Sequence, residues 1–316
     1  MQKFLIRLGL WLLIGFIIAL VVDVVVTSGL RKVDTRKYAV WNDIYKGGVD
    51  ADLVVIGPSQ AWCSYNTFML DSLLNVNSYN LGIDGHPLPL QLLRYETYRR
   101  FNSKPRVILL NVSYFGTFSI LSDEQYEREQ FFPYIADRDL IDKVAKIKHL
   151  TWLDRYVPLY RYFGYRDDVE MGVAAFWGKR EFPDGNMHKG YRGNVYEWQS
   201  PSWLESSLSY PIDNDLVVLL EKFAKKVTES GIELAFVKYP AYYSWTQRVE
   251  NIKVTDSIFE TIAAEYDVPI LDYYYSGICK DSANYYNFSH LNKKGAELFT
   301  IKLCQDLDSM CFIKRL

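Results

Sequence analysis

A hydroxyl nucleophile needs a base to take its proton, a group to orient that base, and hydrogen-bond donors for the oxyanion that forms. The sequence carries one ordered set of such residues. Ser59 follows the Gly-Pro turn of "GPSQAWC", directly after the short apolar run "DLVVIG" (52–57). A serine on that turn can expose its hydroxyl beside backbone N–H groups able to hold an anion. Gly82 and Gly85 in "SYNLGIDG" (78–85) let the backbone approach a ligand closely. Asn111 lies at the end of the apolar run "RVILLNV" (106–112). His290 stands in "NYYNFSHLNKKGAELF" (284–299), three residues after Asn287. Nucleophile, base and amide donors together point to nucleophilic acyl transfer.

Each residue also has a plainer reading. Ser59 can equally cap the helix that follows it. Asn111 in "NVS" and Asn287 in "NFS" match the three-residue glycosylation pattern. The other histidines are His86, His149 and His188. The first two read as surface or packing residues. His188, in "MHKGYRG", either lines a cleft beside Lys189 and Tyr191 or sits in a solvated loop.

The elements that must position these residues alternate. "DLVVIG", "RVILLNV", "IELAFVK" (232–238) and "VPILDYY" (268–274) read as buried strands. Between them, "PLPLQLLRYETYRRF" (87–101), "NDLVVLLEKFAKKVTESG" (214–231) and "VTDSIFETIAAEYD" (254–267) have helical periodicity. The His290 segment opens a last helix whose inner side carries Leu298, Phe299 or Ile301, and Cys304. This alternation predicts an α/β protein, with a parallel sheet of about five strands and helices on both faces. Residues 119–210, rich in aromatics and charges, break the rhythm and read as a mostly helical insertion above the strand ends. Ligands of open α/β sheets bind at those carboxyl ends.

At the N-terminus, "LGLWLLIGFIIALVVDVVV" (8–26) has Asp23 as its only charge. As a helix it spans roughly 28 Å, close to the hydrocarbon thickness of a bilayer. With no Ala-x-Ala cleavage site behind it, residues 1–30 read as an uncleaved transmembrane anchor and 31–50 as a polar stalk. Arg31, Lys32, Arg36 and Lys37 after the run outnumber Lys3 and Arg7 before it. Charge therefore assigns no side to a long following domain. A net charge of -2 gives no reason to expect a nucleic-acid partner. Aromatics reach 16%, with 25 Tyr and 8 Trp, residues suited both to cores and to sugar rings. Cys63, Cys279, Cys304 and Cys311 show no C-x-x-C pair and no metal spacing, so both buried thiols and one long-range disulfide remain open. Nor is there a G-x-G-x-x-G or a P-loop, and no cofactor is expected.

Gly-x-Ser after the first strand, Gly after the second, Asn after the third and a late His before "LNKKGAELF" together resemble the SGNH (GDSL-type) hydrolase superfamily. The resemblance is closest to its membrane-anchored bacterial branch, linked to acyl chemistry on envelope polysaccharides and teichoic acids. It covers roughly residues 50–118 and 211–310. It implies a three-layer, flavodoxin-like domain over 51–316, interrupted by the 119–210 insertion and lying on the extracytoplasmic side. It makes Ser59 the nucleophile and His290 the general base, with the Ser59 N–H, Gly82 N–H and Asn111 side chain as the oxyanion hole. An acylated glycan or envelope polymer is then the implied partner, alongside the membrane and a membrane-bound acyltransferase. Two positions depart from the family pattern. Pro58 replaces the Asp of Gly-Asp-Ser, and Asn287 replaces the Asp of Asp-x-x-His. In the serine-protease triad, exchanging the aspartate for asparagine lowers turnover about 10⁴-fold. The orienting acid is then Asp272, Asp281 or absent, leaving a Ser–His dyad. A catalytically degenerate protein that binds glycan or an acyltransferase is the alternative.

Overall fold

The fold is described from a computed structural model of the 316-residue chain. The structure describes residues 1–35, 37–114, 116–120, 126–179, 181–182, 187–199 and 207–312. Arg36 and stretches 121–125, 183–186 and 200–206 of the expected insertion, with residue 180, lie outside the described residues. Two compact units are present, Met1–Asp43 with Asp123–Met187, and Ile44–Ser122 with His188–Leu316.

The second unit holds the sheet. Strands β1 (Leu53–Ile56), β2 (Ser78–Asn80), β3 (Val107–Val112), β4 (Glu233–Lys238) and β5 (Ile270–Asp272) pair in parallel in the order β2-β1-β3-β4-β5. All side chains of β1 and β3 are buried, the signature of a parallel sheet covered on both faces. Alternate residues divide the two faces, as the two-residue period of a strand requires. Leu53, Val55, Val107, Leu109, Ala235 and Val237 join one core with residues of α3 (Ser59–Ser64), α4 (Thr67–Leu74) and α12 (Lys293–Ser309). Helices α5 (Leu88–Phe101), α9 (Asn214–Glu229) and α11 (Ile252–Glu265) pack next to one another, and Phe259 of α11 meets Phe236 of β4 edge-on. Gly231, with φ +73, follows α9 in the left-handed conformation that commonly ends helices. A short helix α10 (Tyr243–Thr246) and a two-stranded ribbon, β6 (Tyr285–Asn287) with β7 (His290–Leu291), complete this unit.

The last helix turns its inner face differently from the expectation. Ala296, Phe299, Thr300, Leu303, Cys304 and Leu307 are buried, whereas Leu298 and Ile301 are exposed. Helix α12 begins at Lys293, capped by the Asn292 side chain on the Gly295 N–H. Positions 296, 299, 300, 303, 304 and 307 recur at the three-to-four-residue spacing of one helical face, and 298 and 301 lie off it. All four cysteines are free, with Cys63, Cys279 and Cys304 buried and Cys311 exposed.

In the first unit, α1 runs from Gln2 to Leu30, 29 residues, long and apolar enough to cross a membrane. Ala39–Lys46, within the expected stalk, is helix α2, and Tyr38, Val40 and Trp41 are buried. The Trp41 indole N–H donates to Gln130 Oε1 at 2.7 Å. Helices α6 (Arg138–Lys148), α7 (Trp152–Tyr156) and α8 (Arg166–Phe176) give the insertion its helical character. Gly29 and Gly172 bring α1 and α8 into backbone contact, since a Cβ at Gly29 would lie 1.7 Å from the Gly172 carbonyl oxygen.

Phe299 is the hub of the core between sheet and α12, with the rings of Tyr65, Tyr273 and Tyr239 at 5.1, 5.2 and 5.9 Å. Phe299→Ala should destabilise the protein by about 3–5 kcal/mol. Denaturant unfolding of the detergent-solubilised chain measures this, and a loss well under 1 kcal/mol would contradict the packing described.

Candidate active site

The turn after β1 delivers Ser59 as the first residue of α3. Gly57 makes this turn possible, because a Cβ there would lie 2.7 Å from both Ala61 Cβ and Asn111 Cβ. Pro58, at φ -78, occupies the N-cap, where its missing N–H is no loss. Being first in its helix, the Ser59 N–H has no acceptor within the helix.

His290, from the β6–β7 ribbon, meets this serine across 231 positions of sequence. Its Nε2 lies 2.7 Å from Ser59 Oγ, and its Nδ1 lies 3.0 Å from Asn287 Oδ1 and 2.9 Å from Ser289 Oγ. The orientation of the Asn287 amide follows from a third bond. The Ser289 backbone N–H, which can only donate, points at the same Asn287 atom at 3.0 Å. That atom is therefore the carbonyl oxygen. An oxygen facing Nδ1 can only accept a hydrogen bond from it, so the neutral ring carries its hydrogen on Nδ1 and presents a lone pair at Nε2 to the Ser59 hydroxyl. Tyr286 stacks on the imidazole at 5.2 Å between centroids and closes one side.

Burial pushes the His290 pKa down to about 4, and the charge of Asp84 pulls it partly back. Among the described residues no carboxylate bonds to the ring. Asp272 accepts the Tyr274 N–H at 2.9 Å and faces Lys238 at 3.4 Å. Asp281 caps Ala283 at 2.9 Å and lies 3.7 Å from Lys294. Both expected substitutes for the orienting acid are thus engaged elsewhere.

Asn111 is buried. Its Oδ1 accepts the Tyr65 hydroxyl at 2.9 Å, and its Nδ2 reaches Gln60 Oε1 only at 3.5 Å. The donor pair on Nδ2 is accordingly held loosely, while the side chain is fixed by Tyr65. Burial also keeps Asn111 from serving as a glycosylation acceptor in the folded protein. Gly82 is packed against α3, with a Cβ placed 2.4 Å from the Trp62 backbone nitrogen. Its N–H donates to Asn80 Oδ1 at 2.8 Å, so this amide is held by a neighbour rather than directed freely outward. Gly85, at φ +60, supplies the left-handed turn that follows.

The remaining histidines each have local neighbours outside the Ser59–His290 pair. His188 stacks on Phe68 at 3.5 Å and pairs its backbone with Tyr191, and His149 ends α6 at φ +47. His86 Nδ1 contacts the Asp84 carbonyl. Cys63, close in sequence to Ser59, is no rival nucleophile, since burial raises its thiol to about 12. Sequence reading did not single out Ser289, Tyr286, Tyr65, Gln60, Asn80 or Asp84. Two of these carried a local signal: Asn-x-Ser at 287–289 and Asn-x-Gly at 80–82 are both Asx turns, in which the side chain accepts the N–H two residues on.

No family model matches the chain, and no curated protein matches it. Among solved structures the chain is similar to a protein provisionally described as an acylhydrolase from Bacteroides fragilis. That match has TM-score 0.38 and 11% identity, covering 82% of this chain and 86% of that one. It is also similar to a family two carbohydrate esterase from Clostridium thermocellum, solved with cellohexaose. The TM-score is 0.37 and the identity 11%, covering 83% of this chain and 64% of that one. A GDSL-like lipase from Bacteroides thetaiotaomicron follows at TM-score 0.35 and 9% identity, covering 82% and 88%. At such identities and scores the likeness says nothing about activity.

The low His290 pKa sets the pH response. A base depressed from 6.5 to about 4 stays neutral well into acid. The rate of Ser59 modification should therefore hold from pH 7 down to about 5 and fall through about 4. The stability contributed by the neutral ring is complete above 6.5, its unfolded value, and is lost as pH falls through about 4. A rate profile with its midpoint near 6.5 would contradict the burial of His290. Asn287→Asp should raise this pKa and shift the acid limb upward, because a carboxylate stabilises the imidazolium that asparagine leaves uncompensated.

Proposed function

We propose that this chain is a membrane-anchored SGNH-type serine esterase or O-acyltransferase that acts on an acylated envelope glycan or polymer. The observation that carries the reading is the 2.7 Å contact of His290 Nε2 with Ser59 Oγ, on a ring whose tautomer is set from the other side by Asn287. In the forward step Ser59 Oγ attacks the acyl carbonyl and its proton passes to His290 Nε2. The Ser59 N–H and Asn111 Nδ2 hold the oxyanion, with the Gly82 N–H joining them where Asn80 releases it. Collapse expels the alcohol, which takes the proton from His290, and leaves acyl-Ser59. Water or a sugar hydroxyl then attacks the ester, deprotonated by the same nitrogen, and regenerates the serine.

The glycan assignment is supported by aromatic faces beside the base. Tyr286 stacks on His290, and the exposed ring of Tyr196 meets Tyr286 at 6.4 Å. Such flat faces suit sugar rings. The anchor is supported by the length and apolarity of α1, and the extracytoplasmic side follows from the proposed substrate.

A second reading is favoured by one observation. With Asn287 neutral and the His290 pKa near 4, the base is weak, as in a protein that binds glycan or an acyltransferase partner without turnover. One experiment separates the two. A fluorophosphonate probe should label the wild-type protein and spare Ser59→Ala, and Asn287→Asp should accelerate ester turnover by well under the roughly 10⁴-fold of the opposite exchange in serine proteases, because the tautomer is already correct here. Absence of labelling in the folded wild type, with no gain in Asn287→Asp and glycan binding intact, would favour the binding role instead.

A further inference from the structure

The first unit carries exposed aromatic side chains that its own core does not use. Trp152 and Tyr156, four residues apart on one face of α7, are 67% and 62% exposed, and Tyr160 and Phe163 are 45% and 89% exposed. The segment that carries them is held to α1 at Asp23 by its neighbours Leu159 and Arg161. The Leu159 N–H donates to Asp23 Oδ2 at 2.8 Å, and the Arg161 guanidinium pairs with Asp23 and donates to Thr27 Oγ1 at 3.0 Å. Arg161 also reaches the Asp154 carbonyl of α7 at 3.4 Å. Leu159 sits at φ +63, a strained conformation for a bulky residue, and its amide is the one held by Asp23.

Asp23 is also where α1 changes character. Nearly every residue before Val22 is exposed, whereas Asp23 is buried on Leu159 and Arg161 and the buried Val26, Gly29 and Leu30 that follow lie against Gly172 of α8. The exposed turns from Gln2 to Val22 span roughly 30 Å, the hydrocarbon thickness of a bilayer, with the long side chains of Lys3 and Arg7 in the first turns reaching back to the far headgroups. A carboxylate is costly inside that layer, so Asp23 with its guanidinium partner belongs at the boundary. The four aromatics, tied to Asp23, then lie at the depth where Trp and Tyr rings favour the headgroup region.

We propose that Trp152, Tyr156, Tyr160 and Phe163 form a membrane-seating surface whose occupant is the lipid headgroup zone around the emerging helix. The proposal rests on α1 spanning the bilayer, and it adds that residues 152–163 lie in the interface rather than in water. Trp177 is a built-in contrast. It is 78% exposed but follows Phe176, whose ring underlies Lys32 at 5.2 Å. Lys32 is two to three helical turns past Asp23, about 13 Å farther along the axis and beyond the headgroups.

Nitroxide labels placed by Leu13→Cys, Phe163→Cys and Trp177→Cys in a Cys311→Ser background test this on the full chain in lipid nanodiscs. The readout is the ratio of collisions with oxygen to those with a water-soluble nickel chelate. Position 13 should show a large rise over free nitroxide in buffer, position 163 a severalfold rise, and position 177 the buffer value. A label at 163 equal to that at 177, with 13 immersed, overturns the seating surface and leaves the anchor intact. A label at 13 reading as water overturns both. Should the label disturb position 163, tryptophan quenching by lipids brominated near the headgroup decides. The quenched emission should fall in Trp152→Ser, and an unchanged fraction contradicts the proposal.

Discussion

One backbone hydrogen bond governs the chemistry of this site. By donating to Asn287, the Ser289 N–H forces the carbonyl oxygen of that amide toward His290, and everything downstream follows from that polarity. With the amide turned the other way, its NH₂ would face Nδ1, the ring hydrogen would sit on Nε2, and no lone pair would face Ser59. A wrong tautomer is the reason asparagine is so damaging in serine-protease triads. Here the Asx turn supplies the tautomer without the charge. Orientation is retained, and the electrostatic support for the imidazolium is what the substitution removes.

The scaffold explains why residues so distant in sequence meet. A parallel sheet places the carboxyl ends of all its strands at one edge, so the β1 turn brings Ser59, the β2 turn Gly82, and the end of β3 Asn111. Close approach is enforced by glycines at two of these places, Gly57 against Asn111 and Gly82 against Trp62. His290 arrives on the ribbon that leads into α12, whose buried face, centred on Phe299, locks that ribbon to the sheet.

Much of this was legible in the sequence because it depends on short-range pattern. Buried strands reveal themselves as apolar runs, and their order with intervening helices dictates a parallel sheet whose carboxyl edge carries Ser59 and Asn111, whereas β2, the short Ser-Tyr-Asn before Gly82, is no apolar run. What was not legible depends on contacts between distant segments. Asn80 occupies the Gly82 N–H, Tyr65 fixes Asn111, and Tyr286 covers His290, none of which leaves a periodic trace. The same holds for residues 31–50, which read as a polar stalk in sequence but hold the buried Trp41, bonded to Gln130 89 positions away. The roles of Asp272 and Asp281 could not be excluded from sequence either, since only their bonds to Tyr274 and Ala283 show them to be occupied.

The central claim is that His290 is a neutral base with its hydrogen on Nδ1 and its lone pair directed at Ser59. Nitrogen NMR of the ¹⁵N-histidine-labelled protein at pH 7, with His290→Gln used for assignment, reads this state directly. The account predicts a protonated, pyrrole-type Nδ1 and an unprotonated, pyridine-type Nε2 whose resonances stay unchanged down to pH 5. A hydrogen on Nε2, or an imidazolium already formed at pH 6, would contradict it.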